Sequence, residues 1–153
     1  MHKLLVLTTE WAEIHNRCVL ISPKVRASTR ILIVDENVNA TDTFSRKLRL
    51  NGYEVWAASS TSEGLNLMKK HRPQAIILNL RMPLVSTLRF LKVIRAIPDF
   101  RAVPVAIVTG DYYLNDSQAD EIYALGAEIR YKPLWLDEMI TLARDLTKMP
   151  VGN

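Results

Sequence analysis

The chain has 153 residues, of which 48% are hydrophobic and 24% are charged, and its formal net charge is +4. This composition is typical of a globular domain and excludes a disordered or collagen-like chain. The single cysteine, Cys18, excludes a disulfide framework and a cysteine-rich zinc site. The sequence has no apolar run of membrane-spanning length and no convincing export signal, so we expect a cytoplasmic protein without membrane contact.

The basic excess lies at the beginning of the chain. Residues 1–30 hold five basic and two acidic residues, a net charge of +3, whereas residues 31–153 carry only +1. Binding of nucleic acid needs several cations on one face, so a nucleic-acid role through this segment is an alternative that we do not favour. The pattern predicts a leader of uncertain structure over residues 1–29, one domain over residues 30–149 and a tail over residues 150–153.

From residue 31 onward, short apolar runs alternate with segments of helical periodicity. The apolar runs predict strands at 31–34, 53–58, 75–78, 103–108 and 127–131. The spacing of apolar residues predicts helices at 38–50, from 60 to about 71, from about 86 to 96, at 117–125 and from 136 onward. Ser60 and Glu63 have the spacing of a capping box. This alternation predicts an α/β fold with a doubly wound, five-stranded parallel sheet and helices on both faces.

Polar residues follow four of the predicted strands. Asp35 and Glu36 follow the first strand, Asn79 the third, Thr109 the fourth and Lys132 the fifth. Each of them alone would be an ordinary turn residue. The carboxyl ends of parallel strands meet at one edge of the sheet, however, and ligands of such folds bind there. Together these residues therefore predict a polar site at that edge.

The motifs of residues 31–148, taken in order, resemble the receiver domain of bacterial response regulators. The resemblance depends on Ile31-Leu32-Ile33-Val34-Asp35-Glu36, Gly52-Tyr53-Glu54-Val55, Leu78-Asn79-Leu80-Arg81-Met82-Pro83, Val103-Pro104-Val105, Thr109, Gly126-Ala127 and Lys132-Pro133. It implies a flavodoxin-like sheet with strand order 2-1-3-4-5 and a cis peptide bond before Pro133. It also implies a signalling module of a two-component system or phosphorelay, and not an enzyme.

The resemblance assigns roles to the residues at the sheet edge. In the family an acid pair holds Mg²⁺, an aspartate takes a phosphoryl group from a histidine kinase, and a hydroxyl and a lysine hold the phosphoryl oxygens. Asp35 and Glu36 match the acid pair, Thr109 the hydroxyl and Lys132 the lysine, and we expect Lys132 to approach one of the carboxylates or the Asn79 carbonyl. The phosphoacceptor position is Asn79, which is a poor nucleophile and removes a negative charge from the cluster. The chain therefore resembles an atypical, degenerate receiver that requires no cofactor and binds Mg²⁺ weakly at most.

Two further positions depart from the family. Ser86-Thr87 stands where receivers usually carry Asp-Gly, which predicts a loop without its permissive glycine. Ile129 stands where an aromatic ring usually swings on activation, and Tyr131 is expected on the same face of the strand. We interpret Ile129 and Tyr131 as part of a partner-binding surface. Trp135, which follows this strand, is predicted to be a packing residue.

The favoured hypothesis is a stand-alone receiver module that binds a histidine kinase or a separate output protein without being phosphorylated. A homodimer remains open. One alternative is a receiver that is phosphorylated on Asp35 or Ser86. A phosphohydrolase with Asp35 as its nucleophile is disfavoured, because such enzymes need a second acid where this chain has Asn37.

Overall fold

The computed structural model describes residues 28–80, 83–110 and 114–148, so nearly all of the predicted leader and the predicted tail lie outside the described residues. The strands are β1 (Arg30–Val34), β2 (Glu54–Ala58), β3 (Ala75–Leu80), β4 (Val105–Thr109) and β5 (Ala127–Tyr131). The helices are α1 (Val38–Leu50), α2 (Thr61–His71), α3 (Leu84–Ala96), α4 (Asp116–Ala124) and α5 (Leu136–Lys148), with a 3-10 helix at Pro98–Phe100. Among the described residues, no helix has the length and apolar character needed to span a membrane.

The five strands form one parallel sheet with the order β2-β1-β3-β4-β5, which confirms the predicted fold. The strand order reverses beside β1, since β2 pairs on one side of β1 and β3 on the other. At the carboxyl edge, Val34 pairs with Leu78, and Asn79 pairs with Val108. This edge, beside the reversal in strand order, is where open α/β sheets place their ligand sites.

Alternate residues of the strands enter two separate apolar layers. Leu32, Ile76 and Ile107 pack with α2, α3 and α4 on one face of the sheet. Ile33 and Ile77 pack on the other face with residues of α1 and α5. Successive side chains of a strand point to opposite faces, so a sheet covered on both faces has apolar residues at every interior position. The continuous apolar runs of the sequence follow from this layering.

Capping residues lie at the ends of the helices, near the predicted positions. Gly52 follows α1 with a φ of 89°, a left-handed conformation that glycine adopts without strain. Ser60 accepts a hydrogen bond from the Glu63 backbone N–H at 3.2 Å, as the capping box predicts. The Glu63 carboxylate, however, accepts from the backbone N–H and hydroxyl of Ser59, one residue before the expected donor. These two bonds hold the pKa of Glu63 below its ordinary value.

Three predicted boundaries are wrong, and each has a local reason. Strand β4 begins at Val105 because Pro104 has no N–H to donate, although its carbonyl accepts from Ile76 N–H at 2.9 Å. Strand β3 continues beyond residue 78, because Asn79 still pairs with β4. Helix α3 begins before residue 86, which places Ser86 and Thr87 in a helical turn. No glycine-dependent loop therefore exists at those two positions.

Arg95 joins α3 to the loops at the opposite edge of the sheet. Within the described chain, its guanidinium donates five hydrogen bonds to backbone carbonyls, those of Phe100, Arg101, Val103, Leu125 and Gly126. Burial lowers the pKa of Arg95. Because these carbonyls belong to the segments that lead into β4 and β5, Arg95 holds the starts of both strands in place.

Candidate functional site

Asp35 lies immediately after β1, and only 3% of its surface is exposed. Its backbone N–H donates to the carbonyl of Ala58 at 2.9 Å, which extends the pairing between β1 and β2. Its Oδ1 accepts from the Asn37 backbone N–H at 2.8 Å, and its Oδ2 accepts from Asn79 Nδ2 at 2.6 Å. A buried carboxylate is stable only where hydrogen bonds replace its water, and both oxygens of Asp35 meet that condition.

Asn79 lies near the end of β3 and is 8% exposed. Its nitrogen must face Asp35, because two oxygens 2.6 Å apart would repel each other. Its Oδ1 is buried and has no hydrogen-bond partner within the described chain. Lys132 therefore forms no hydrogen bond with the Asn79 carbonyl, and its predicted approach to a carboxylate stays a prediction.

The remaining predicted site residues have different environments. Glu36 is exposed, whereas Thr109 is completely buried at the end of β4. The Thr109 backbone carbonyl accepts from the Lys132 N–H at 2.8 Å, which joins the ends of β4 and β5. The peptide bond between Lys132 and Pro133 is cis, as predicted. The half-buried Lys132 side chain then contributes to the same cavity as Asp35.

A cavity of about 480 Å³ lies between this edge of the sheet, α1 and the start of α5. Asp35, Asn79, Gly110 and Lys132 line its polar end. The other lining residues are apolar: Ile33, Ala40, Phe44, Ile77, Val108, Pro133, Leu134 and Met139. The structure thus brings Asp35, Asn79 and Lys132 around one cavity, and the described lining includes neither Glu36 nor Thr109.

The residues at this edge do not fit the magnesium ion that the resemblance implies. The described residues contain no group of three or more histidine, cysteine, aspartate or glutamate side chains placed to hold a metal ion. Asn79 presents its nitrogen to Asp35, so Asp35 and Asn79 do not offer two oxygen ligands to one hard cation at this contact. Glu36, the second acid of the predicted pair, is exposed.

The predicted partner surface has an aromatic residue that sequence reasoning missed. Tyr131 is 46% exposed, whereas Ile129 is half-buried and packs against the core on the α4 side. Trp135 is 71% exposed, so the prediction that it packs is wrong. The segment between β5 and α5 carries Trp135 away from both apolar layers, and Leu136 beside it is also partly exposed. Its position two residues after the Lys132-Pro133 pair was the available signal.

Sequence reasoning also did not select the residues that form the walls of the cavity. Phe44, Leu134 and Met139 belong to the apolar positions of α1, α5 and the segment before α5. A periodic stripe predicts that such residues face the sheet, but not that they leave a space between them. No sequence signal could have found the cavity.

The fold and the site define a class of protein: a flavodoxin-like domain with an acid, an amide and a lysine at the edge beside its reversal in strand order. The chain belongs to the response regulator family, since residues 31–143 match the model of the response regulator receiver domain. Receiver domains are signalling modules and not typical enzymes.

Curated relatives and solved structures agree with this assignment. The chain is 29% identical over 121 residues to the transcriptional regulatory protein PrrA of Mycobacterium tuberculosis, covering 79% of this chain and 51% of the relative. It is 30% identical over 122 residues to the response regulator MprA of Mycobacterium sp. strain KMS, covering 78% and 50%. The chain thus spans about half the length of these relatives. The chemotaxis protein CheY4 of Vibrio cholerae matches with a TM-score of 0.70 and 25% identity over 78% of this chain and 99% of that one.

Proposed function

We propose that this chain is a degenerate receiver module, which acts in two-component signalling by binding a protein partner and is not phosphorylated. The observation that carries the proposal is the hydrogen bond from Asn79 Nδ2 to Asp35 Oδ2, at 2.6 Å and among buried groups. The resemblance to receivers gives position 79 the place of the phosphoacceptor aspartate. In this chain that place holds a hydrogen-bond donor.

Neither polar atom of the Asn79 side chain can act as the nucleophile of a phosphoryl transfer. The nitrogen donates to Asp35, and its lone pair is delocalised into the amide. The oxygen is shielded from solvent, whereas in-line attack requires direct contact with the phosphorus of a donor. An amide oxygen is also far less nucleophilic than a carboxylate.

The same hydrogen bond supports independence from a metal ion. Two neighbouring carboxylates repel each other unless a cation lies between them. An amide N–H supplies the positive end of a dipole to Asp35 directly, so this edge of the sheet is stable without a counter-ion. The proposed module requires no cofactor and binds Mg²⁺ weakly at most.

The environments of Asp35 and Ser86 give little support to either residue as an alternative phosphoacceptor. Asp35 is buried and both of its oxygens accept hydrogen bonds, which also disfavours it as the nucleophile of a phosphohydrolase. Ser86 lies in the first turn of α3 and is not among the described residues that line the cavity. The nucleic-acid alternative depends on residues 1–29, nearly all of which lie outside the described residues, and stays untested.

The proposed partner is a histidine kinase or a separate output protein. PrrA and MprA are named as a transcriptional regulatory protein and a response regulator, and this chain matches only about half of each. The exposed side chains of Tyr131 and Trp135 offer a contact surface beside the cavity. Cytoplasmic location and a homodimer stay predictions.

Incubation with acetyl phosphate and Mg²⁺, followed by intact-mass measurement, tests the proposal. The native chain should gain no phosphoryl mass, and beryllofluoride should leave its amide spectrum nearly unchanged. Asn79→Asp is the matched variant, since it restores the acceptor carboxylate without changing the size of the side chain. A phosphoryl mass on the native chain would refute the proposal, and peptide mapping would then decide between Asp35 and Ser86.

A further inference from the structure

We propose that the cavity beside Asp35 binds an uncharged, mostly apolar small molecule with one polar group. This inference names a ligand for the site of the proposed function. It rests on that function only in requiring that neither a phosphoryl group nor a metal ion occupies the edge of the sheet.

The size and walls of the cavity are those of a ligand site. Its volume of about 480 Å³ lies within the range of about 300–1,000 Å³ that is typical of small-molecule pockets. Ile33, Ile77 and Val108 of the sheet form one wall. Phe44 of α1 and Met139 of α5 stand opposite and supply an aromatic ring and a polarizable thioether. The free energy of binding to such a surface is most favourable when the molecule that covers it is apolar.

Two other concavities of similar volume in the described chain differ in character. The one on the outer side of α1 includes Asp42, Arg46 and Lys47 in its lining. The one on α3 includes Arg89 and Lys92 and is formed by a single helix. The cavity beside Asp35 is instead lined by the sheet, by two helices and by the segment between β5 and α5, and the charged residues of its described lining lie at one end.

The polar end determines the charge of the ligand. Asp35 and Lys132 have opposite formal charges, so the lining formed by the described residues is neutral in total. Both oxygens of Asp35 already accept hydrogen bonds, and Asn79 Oδ1 is shielded. A ligand carrying a net charge would lose its hydration in an apolar cavity without an uncompensated group of opposite sign to replace it. An uncharged ligand with one hydroxyl or amide avoids this cost.

Three naphthalene probes that differ only in charge test the inference: 2-naphthol, 2-naphthoate and 2-naphthylmethylammonium. The full chain, labelled with ¹⁵N, is titrated with each probe at neutral pH. We expect 2-naphthol to bind saturably and to move the amide signals of Ala40, Phe44, Gly110 and Met139. Its affinity should exceed that of both charged probes by at least about tenfold.

Filling the cavity provides the matched variant. Ala40→Phe places a ring in the space from the α1 side and should weaken 2-naphthol binding by at least about tenfold. Ala119→Phe makes the same change at another half-buried helical alanine, in α4 on the opposite face of the sheet, and should leave the affinity unchanged. Thermal unfolding checks that both variants fold. If Ala40→Phe does not fold, the signal mapping on the native chain still decides the question.

Absence of saturable binding, or signal changes confined to residues outside the cavity, would overturn the inference. Equal or tighter binding of a charged probe would overturn the assigned ligand class. The outcome is separable from that of the proposed function. The probe titrations contain no phosphodonor, so phosphorylation of the native chain in the other experiment would refute the proposed function without deciding whether 2-naphthol binds. Absence of probe binding together with absence of phosphorylation would refute only the inference.

Discussion

Replacing Asn79 by aspartate should destabilise the fold when no divalent cation is present. The change puts a carboxylate oxygen where Nδ2 now donates to Asp35 at 2.6 Å, with both residues buried. The lost hydrogen bond to a charged group is worth about 1.5–3 kcal/mol. Two unit charges 4 Å apart repel by about 4 kcal/mol at an effective dielectric constant of 20, and protonation of one carboxyl limits that cost. We expect a net loss of about 3 kcal/mol at neutral pH, or roughly 10 °C in Tm.

Thermal unfolding in EDTA measures this loss, and Asn79→Ala is its control. The alanine variant loses the same hydrogen bond without adding a charge, so it should lose about 1.5–3 kcal/mol and stay more stable than the aspartate variant. The difference between the two variants reports the repulsion between carboxylates. The neighbouring carboxylate raises the pKa of the new carboxyl, so Asn79→Asp should regain stability in acid and lose it as the pH rises through that raised pKa.

Magnesium provides the decisive comparison. A cation that binds only the folded state stabilises it by about 2.7 kcal/mol at a concentration one hundredfold above its Kd. The aspartate variant should therefore recover its Tm on addition of Mg²⁺, whereas the native chain should show little change. The reasoning is refuted if Asn79→Asp in EDTA is as stable as the native chain, or if Mg²⁺ stabilises the native chain equally.

Three further predictions concern positions outside the cavity, and urea unfolding tests each. Arg95→Ala removes five hydrogen bonds to backbone carbonyls and should lower the free energy of unfolding by about 3 kcal/mol. Arg95→Lys should restore only part of this stability, because an ammonium lacks the planar geometry of the guanidinium. Because the pKa of Glu63 is lowered, its ionised form stabilises the fold above the unfolded pKa, and this is lost as the pH falls through the folded pKa. Glu63→Gln should therefore flatten the acid side of the stability profile. Gly64→Ala would place a Cβ 3.1 Å from Cγ2 of the fully buried Val34 and should cost about 1 kcal/mol despite the better helix propensity of alanine.

The fold could be predicted from the sequence because the sheet is covered on both faces. Runs such as 31–34 and 75–78 are apolar at every position, and the helices between them carry one apolar stripe each. The predicted strand boundaries were wrong where the polarity of a residue and its backbone pairing disagree. Asn79 looks like a turn residue, yet it pairs with β4, and Pro104 looks apolar, yet the ladder starts after it. Such pairing depends on the neighbouring strand, which a local pattern does not contain.

The sequence predicted the site only through the rule that open parallel sheets bind ligands at the carboxyl ends of their strands. That rule selected Asp35, Asn79 and Lys132, and all three line one cavity. It also selected Glu36, whose side chain is exposed because it lies one residue beyond the buried acid. The direction of the Asn79 amide follows from its distance to Asp35, which is a tertiary quantity. The cavity depends on how closely α1 and α5 approach the sheet, and no spacing in the sequence encodes that.

An amide at position 79 changes what can act as a signal. It has nearly the size of a carboxylate, and its N–H donates to Asp35, so the positive end of an uncharged amide dipole faces that carboxylate. A ligand shifts a conformational equilibrium only if it contacts two states differently. Under the proposed function no phosphoryl group supplies that difference, and the signal then arises from a partner or from a molecule in the cavity. The segment from Lys132 to Leu134 lines the cavity, and the exposed Trp135 follows it directly. We therefore expect this segment to connect the cavity with the exposed surface at Trp135.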